Sequence, residues 1–212
     1  MTLLGINSRH DFVVTEAGTN HPGEIDYLGQ IAQPNVAIIT NIGPSHLEYL
    51  RDLKGVFREK CKLIENLIRP YACVLNADDP LLSREVFKEK KNPFTISYAI
   101  RNKADFSAGN IRSVGEGLKF SVNKKYGFTL GTLGYYNIYN ALAAIATARL
   151  FGIGYKEIIT RLADFDFPRS RLTLTRSKET TFIDDTYNAN PLSLEQALAA
   201  LAGFKNKGRK IF

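Results

Sequence analysis

Residues 36–48 read VAIITNIGPSHLE, an apolar run followed at once by polar residues and glycine. A β-branched run that stops in this way is typical of a buried parallel strand opening into a loop. An earlier run, Phe12–Val14, ends similarly in residues 15–25, TEAGTNHPGEI. Ligands of open α/β sheets bind at the carboxyl ends of the strands. Glu16 and His46 are therefore predicted to share one site for a metal ion or a phosphate.

The alternation of strand and helix patterns over residues 12–100 predicts an α/β fold with a mostly parallel sheet flanked by helices. The predicted strands lie near 12–16, 36–41, 72–76 and 94–98, and the predicted helices near 24–32, 52–69 and 80–90. Residues 105–132 mix apolar residues with glycines, which indicates a small antiparallel β subregion. Helices are then expected over 137–150 and 155–163.

A domain boundary is predicted near Pro168–Arg171, which divides the chain into a domain of residues 1–170 and a second one of residues 171–212. The second is expected to contain a strand pair and a helix, at 172–175, 181–184 and about 192–202. Arg209–Phe212 has the pattern of the opening of a further strand. A unit this short that stops at the start of a strand is expected to be the beginning of a larger α/β domain.

The composition, with 44% hydrophobic and 23% charged residues, is that of a globular protein. There is no apolar stretch of transmembrane length and no signal-peptide pattern. Cys61 and Cys73 lack the spacing of a disulfide framework or zinc site, which favours a reducing cytoplasm. The net charge of +7 indicates either a basic face for anions or dispersed solvated lysines. We prefer the second and expect a cytoplasmic monomer without nucleic-acid or membrane partners.

Six stretches resemble, in their order, the Mur ligases of peptidoglycan synthesis. They are EAGTNHPGEI (16–25), TNIGPSHLE (40–48), Glu59-Lys60 with the leucines that follow, LNADDP (75–80), GYYNIYNALAA (134–144) and DDTYNANP (184–191). The last resembles the branch that joins D-alanyl-D-alanine to UDP-N-acetylmuramoyl-tripeptide. The resemblance implies the family's central ATP-binding domain in residues 1–170, followed by the beginning of its C-terminal domain.

The activity implied by the resemblance is ATP-dependent amide-bond formation. ATP would activate the tripeptide carboxylate of UDP-MurNAc-tripeptide as an acyl phosphate, with Mg²⁺ as cofactor, and the amine of D-Ala-D-Ala would attack it. The sequence has no GxxxxGK[ST] phosphate loop, which the family carries upstream of the matched region. The chain is therefore expected to be an inactive internal fragment that lacks this loop, the N-terminal domain and most of the C-terminal domain.

Metal binding is implied for Glu16, His46 and Lys60. Lys60 would be carboxylated on Nζ, so that an ammonium becomes an anionic carbamate with metal-binding oxygens; a lysine desolvated near metal can lose its proton and react in this way. His46, Lys60 and Arg171 are the implied catalytic residues. The alternatives are that Glu16 caps a turn, that His46 caps a helix and that Lys60 is a solvated surface lysine. Lys62 stands where the family usually has a glutamate.

The resemblance assigns nucleotide binding to Asn41, Asn137, Asn140, Arg171 and Asp185. The asparagine amides at the start of the 137–150 helix could bind an adenine edge, while the guanidinium would pair with phosphate and the aspartate would accept from the ribose. Helix N-capping is the alternative role for Asn137. Arg169 and Asp184 are alternatives to Arg171 and Asp185.

Substrate binding is implied for Thr19, Asn20, His21, Tyr187, Asn188 and Asn190. For the polar turn over 187–191, Asx-turn and N-cap chemistry is the alternative. Tyr136 and Ser170 replace the histidine and glycine that the family usually has at these positions.

Two other functions are compatible with the sequence. One is another ligase of the superfamily, such as a MurE-like or folylpolyglutamate-synthase-like enzyme. The other is a non-catalytic module that binds a nucleotide or a UDP-sugar. The amine acceptor used in an assay separates the ligases, and binding without turnover would identify the module.

Overall fold

The computed structural model describes residues 3–84, 94–189, 191–205 and 208–212. The chain order of its elements is a short 3₁₀ turn (Leu3–Gly5), α1 (Glu24–Ala32), β1 (Val36–Ile39), α2 (Leu47–Leu50), α3 (Leu53–Glu65), β2 (Ala72–Asn76), β3 (Thr95–Ala99), β4 (Phe106–Val114), β5 (Gly117–Val122), β6 (Tyr126–Leu130), α4 (Asn137–Leu150), α5 (Tyr155–Ala163), β7 (Thr173–Ser177), β8 (Thr180–Asp184) and α6 (Pro191–Gly203).

The main sheet has the strand order β1-β2-β3-β4-β5-β6. Strands β1 to β4 pair in parallel, and β4, β5 and β6 pair antiparallel. Strands β7 and β8 form a separate antiparallel pair. This architecture confirms the predicted α/β fold with its small antiparallel subregion. The division into domains of residues 1–170 and 171–212 stays a prediction.

Strand β2 lies at the centre of the packing, since all five of its residues are buried. Cys73 and Leu75 join an apolar cluster that includes Val56 of α3. Val74, which lies between them, joins the other cluster, where it meets Leu142 of α4. Because alternate residues of a strand point to opposite faces, the two helices cover opposite faces of the sheet.

Helix boundaries follow local signals. The Asp52 side chain caps α3 by accepting a hydrogen bond from the Gly55 backbone N–H at 2.7 Å. An added Cβ at Gly55 would lie only 1.8 Å from the Leu50 carbonyl oxygen, so this close approach requires glycine. Helix α3 ends at Glu65, four residues earlier than predicted. Of the predicted helix near 80–90, residues 82–84 are helical and 85–93 lie outside the described residues.

Two predicted strands are wrong. Residues 12–16 form no strand, and the Val14 side chain is 85% exposed. The backbone groups of a strand need a hydrogen-bonded neighbour, but within the described residues β1 pairs only with β2. The Phe12 ring instead packs against Phe151, with 4.8 Å between ring centroids. Arg209–Phe212 is likewise not a strand, and its two apolar side chains are exposed.

In the part of the chain that the structure describes, no helix combines the length and the apolar character needed to cross a membrane.

Candidate nucleotide and metal site

The loop that leads into α1 folds around the carboxylate of Glu24. Its Oε2 accepts hydrogen bonds from the backbone N–H groups of Asn20, at 2.6 Å, and His21, at 3.0 Å. These backbone bonds lower the pKa of Glu24 to about 2, with a further contribution from the Thr19 hydroxyl. The turn is therefore capped by Glu24. The alternative that Glu16 caps it is wrong, because the exposed Glu16 carboxylate accepts no hydrogen bond from the described residues.

A second carboxylate, Glu59 of α3, binds the end of the same loop and the start of α1. It is buried, and its two oxygens accept hydrogen bonds from the backbone N–H groups of Gly23, at 2.8 Å, and Ile25, at 2.9 Å. These donors belong to the first turn of α1, where a helix has no partners of its own. No role for Glu59 was predicted from the sequence. Its three-residue spacing from buried Val56 was the available signal that it faces inward.

His46 stands at the start of α2 with φ of 50°. Its backbone oxygen accepts the hydrogen bonds of Tyr49 and Leu50, but its imidazole makes no capping bond. The helix-capping alternative for this side chain is therefore wrong. The Tyr49 ring, three residues on, packs against the His21 ring at 4.0 Å between centroids. This contact brings the loop before α1 to the helix that His46 begins.

Lys60 is half-buried on α3, and its Nζ donates a hydrogen bond of 2.9 Å to the Asn41 carbonyl, just beyond β1. Burial lowers the pKa of Lys60, and the Asp79 carboxylate partly opposes that shift. The alternative of a freely solvated lysine is therefore wrong. Lys62 pairs with Glu65 at 2.6 Å, and this pairing raises the pKa of Lys62. The extra positive charge is thus partnered on the outer surface of the helix.

The predicted metal ligands are not joined by hydrogen bonds or ion pairs in the described residues. Within the same residues, no group of three or more histidine, cysteine, aspartate or glutamate side chains could hold a metal ion. Glu16 and His46 are both exposed and make no side-chain hydrogen bond that would occupy their donor atoms. One carboxylate and one imidazole can form part of a Mg²⁺ shell that water completes. A common site with Lys60 stays a prediction.

Asn137 is the first residue of α4 and is buried. Its Nδ2 donates to the Thr132 hydroxyl at 3.3 Å, and its Oδ1 accepts from Asn140 Nδ2 at 3.1 Å. The N-cap position belongs to Tyr136, and no side chain caps the helix there. The capping alternative for Asn137 is therefore wrong. Asn140 is exposed beside it.

Arg171 and Asp185 come together before and after the β7–β8 pair. The Arg171 guanidinium lies over the Tyr187 ring, 4.2 Å from its centroid. Asp185 Oδ1 accepts a hydrogen bond of 3.1 Å from the Leu172 N–H. Burial raises the pKa of Tyr136, and the nearby Asp185 adds to that shift while Arg171 opposes it. The start of α4 therefore lies close to both charged groups.

Asp184, the alternative to Asp185, is engaged within the chain. It accepts hydrogen bonds from the hydroxyls of Thr186, at 2.7 Å, and Ser170, at 2.9 Å. These bonds, together with the Thr186 N–H, lower its pKa. Asp185, with only one oxygen bonded, has more capacity left for an external donor.

The predicted substrate residues are spread over two regions. Thr19, Asn20 and His21 form the loop before α1, where the Thr19 hydroxyl donates to the His21 carbonyl at 2.9 Å. Tyr187 and Asn188 are exposed after β8. Asn190 lies outside the described residues.

Two buried aspartates, for which the sequence predicts no role, stand just after β2. Asp79 Oδ2 accepts from the Ile42 N–H at 2.7 Å and so fixes the loop that follows β1. Its Oδ1 accepts from the Leu81 and Leu82 N–H groups at 2.9 and 3.0 Å. Asp78 is bonded to the other side of the sheet edge, to residues 100–102 and α4. The signal for both was a pair of acidic residues at a strand end inside a buried region.

Residues 1–148 match the family model of the Mur ligase middle domain. The chain belongs to the Mur ligase family.

Several relatives of this Mur ligase chain carry one name, UDP-N-acetylmuramoyl-tripeptide–D-alanyl-D-alanine ligase. The one from Buchnera aphidicola subsp. Baizongia pistaciae is 35% identical and covers 100% of this chain and 46% of its own length. The one from Haemophilus influenzae is 34% identical, and the match covers 96% of this chain and 45% of the relative. A crystal structure of MurF from Acinetobacter baumannii is similar with a TM-score of 0.88 at 30% identity, covering 96% and 45%. The Mur ligase chain spans about half the length of these relatives.

Proposed function

We propose that the protein is an ATP-dependent ligase that joins D-alanyl-D-alanine to UDP-N-acetylmuramoyl-tripeptide in peptidoglycan precursor synthesis. In this proposal residues 1–170 belong to its middle domain and residues 171–212 to the beginning of its C-terminal domain. The observation that carries the proposal is the match of nearly the whole chain to relatives that bear this one name. The match includes residues beyond 148, where DDTYNANP is found. The position of Lys60 also supports the proposal. Its side chain extends from α3, is half-buried, and reaches the Asn41 carbonyl just beyond the carboxyl end of β1.

The proposed reaction has two steps. The terminal carboxylate of the tripeptide attacks the γ-phosphorus of ATP, which forms an acyl phosphate and releases ADP. The free amine of D-Ala-D-Ala then attacks the acyl carbon, which forms the amide and expels inorganic phosphate. Both steps concentrate negative charge on phosphate oxygens, so cationic and hydrogen-bonding groups that face them would lower the barriers.

In this proposal the nucleotide binds between the start of α4 and the residues that flank the β7–β8 pair. Asn137 and Asn140 bind the adenine edge, and Asp185 accepts from the ribose through the oxygen that it has free. Arg171 leaves the Tyr187 ring, or extends beyond it, to pair with phosphate. Asn41 orients the nucleotide from the end of β1.

The proposed metal ligands are Glu16, His46 and a carboxylated Lys60. Bound Mg²⁺ would neutralise charge on the transferring phosphate. The lowered pKa of Lys60 supports carboxylation, because only a neutral amine attacks CO₂. The hydrogen bond to the Asn41 carbonyl holds the amine at the strand end.

The loop before α1 and the turn after β8 are proposed to line the cleft for the two peptide substrates. The residues are Thr19, Asn20, His21, Tyr187, Asn188 and Asn190. The same proposal places the protein in the cytoplasm as a monomer, in agreement with the cysteine pattern.

The direct test measures phosphate release by the protein expressed from its own gene. With ATP, Mg²⁺ and UDP-MurNAc-tripeptide, we expect rapid release only when D-Ala-D-Ala is added, together with a product whose mass has increased by the dipeptide less one water. L-Ala-L-Ala is the matched control and should give no product. Equal release without D-Ala-D-Ala would contradict the assignment. Product formation with a single amino acid or glutamate would indicate another ligase, and nucleotide binding without turnover a binding module.

The metal assignment predicts a changed Mg²⁺ requirement. His46→Ala is expected to raise the Mg²⁺ concentration for half-maximal activity by about tenfold or more, because an imidazole ligand is lost. His10→Ala is the control, since His10 is exposed and, within the part of the chain that the structure describes, its ring bonds only locally to Asn7. A titration of activity against Mg²⁺ measures both variants. An unchanged requirement in His46→Ala would rule out the imidazole as a ligand.

A further inference from the structure

Asp78 makes an unusual number of hydrogen bonds for one carboxylate. It is buried directly after β2, and its Oδ2 accepts from the N–H groups of Ile100, at 2.7 Å, and Arg101, at 2.8 Å. Its Oδ1 accepts from the Asn102 N–H at 2.8 Å. The Tyr139 hydroxyl donates the fourth hydrogen bond, to Oδ2, at 2.9 Å. The carboxylate thus joins the end of β2, the loop after β3 and helix α4.

The contact with α4 falls on the turn that carries the proposed adenine-binding residues. Tyr139 lies between Asn137 and Asn140 in the first turn of the helix. The hydrogen bond from Tyr139 to Asp78 ties this turn to the ends of the parallel strands, and the nearby Arg101 side chain, just after β3, also interacts with the Tyr139 hydroxyl. Packing alone allows a helix to slide or rotate slightly, whereas a directional bond at its first turn fixes where the asparagine amides point.

Both partners have the protonation states that this bond needs. Burial opposes the ionisation of Asp78, but the hydrogen bonds from residues 100–102 and from Tyr139 outweigh it, so its pKa lies below the ordinary value. Burial and the bond to Asp78 raise the pKa of Tyr139 to about 12. At neutral pH a charged acceptor therefore meets a neutral donor, which makes a strong charge-assisted hydrogen bond.

The neighbouring Asp79 bonds to a different part of the site from Asp78. Its carboxylate holds Ile42 in the loop after β1, on the side of the site that contains Lys60. The two adjacent aspartates therefore support different parts of the site.

We infer that Asp78 is a positioning residue for the base-binding end of the nucleotide site: through Tyr139 it sets the orientation of Asn137 and Asn140, and so the preference for adenine over guanine nucleotides. The inference rests on the proposed nucleotide site but not on the identity of the amine acceptor. It gives no role to Asp78 in the chemical steps, because its oxygens are already occupied by the chain.

The test compares the binding of non-hydrolysable ATP and GTP analogues by calorimetry, with the protein expressed from its own gene and no dipeptide present. Asp78→Asn puts an amide donor among four donors, so we expect about tenfold weaker binding of the ATP analogue. Binding of the GTP analogue should hardly change. The nucleotide ratio, defined as the dissociation constant of the GTP analogue divided by that of the ATP analogue, should therefore fall. Tyr139→Phe removes one hydroxyl only and should lower the same ratio about threefold.

Asp105→Asn is the matched control. Asp105 also accepts hydrogen bonds next to β3, from the Ser97 N–H at 2.8 Å and the Ser97 hydroxyl at 2.7 Å, but none from α4. This variant should lose thermal stability without a change in the nucleotide ratio. If Asp78→Asn does not fold, the ratio in Tyr139→Phe decides.

Variants at Asp78 and Tyr139 that keep the wild-type ratio, even with a lower melting temperature, would overturn the inference. So would a wild-type protein that binds the two analogues equally. A failure of the proposed ligase function appears in a different measurement, as phosphate release that does not depend on D-Ala-D-Ala.

Discussion

Lys60→Arg is expected to lower D-Ala-D-Ala-dependent phosphate release by at least about 100-fold. Arginine keeps the positive charge and much of the length of lysine, but its guanidinium stays protonated and cannot form a carbamate with CO₂. The change therefore removes the proposed anionic oxygens while it disturbs the packing of α3 only slightly. Lys62→Arg is the control, because Lys62 pairs with Glu65 outside the site and should keep nearly full activity.

The carbamate itself can be observed. Protein equilibrated with ¹³C-bicarbonate should show a carbamate carbon resonance in NMR spectra that is absent from Lys60→Arg. Because burial lowers the pKa of Lys60, more of its amine is neutral near pH 7 than in an ordinary lysine. The resonance should gain intensity as the pH rises towards that pKa. An active Lys60→Arg enzyme, or a wild-type protein without the resonance, would refute carboxylation at this position.

Glu59→Ala is expected to destabilise the protein by about 3 kcal/mol. The substitution leaves the N–H groups of Gly23 and Ile25 without their acceptor; Ile25 is buried, and the hydrogen bond from Gly23 is partly buried. The free energy of unfolding from urea titrations measures the loss. Glu59→Gln, which keeps one acceptor oxygen, should fall between the wild type and Glu59→Ala.

Glu65→Ala is the matched control on the same helix. The Glu65 side chain is 61% exposed and, among the described residues, forms only an ion pair with Lys62, so its loss should cost less than about 1 kcal/mol. If Glu59→Ala were as mild as Glu65→Ala, the buried hydrogen bonds to the first turn of α1 would have no energetic importance.

The elements that could be predicted from the sequence are those whose pattern is complete within the segment. Helix α5 over Tyr155–Ala163 has the predicted bounds, and α4 over Asn137–Leu150 begins and ends as predicted. Their apolar spacing lies within the segments themselves, and nearby glycines such as Gly152 and Gly154 mark where they end or begin. The strand near 12–16 could not be settled in this way, because a strand depends on a neighbour that its own sequence does not encode.

The candidate site likewise has features that the local sequence predicts and features that depend on residues far away in the chain. That Asn41 and Lys60 belong near one strand end follows from the order of the elements, but the hydrogen bond between them joins residues nineteen positions apart. The roles of Glu59 and Asp78 depend on backbone N–H groups 34 to 36 and 22 to 24 positions away. A sequence pattern identifies an acidic residue at a strand end, but it does not say whether the carboxylate faces a ligand or the chain's own backbone.

The double-sided burial of β2 limits how this protein can diverge. Since Cys73 and Leu75 contact one core and Val74 the other, substitutions in the strand cannot follow the usual rule that every second position is free to vary. Neutral drift there is confined to exchanges between apolar side chains of similar volume. The β7–β8 pair, whose side chains are mostly exposed, has no such restriction. Related sequences should therefore show more substitutions in the β7–β8 hairpin than in β2.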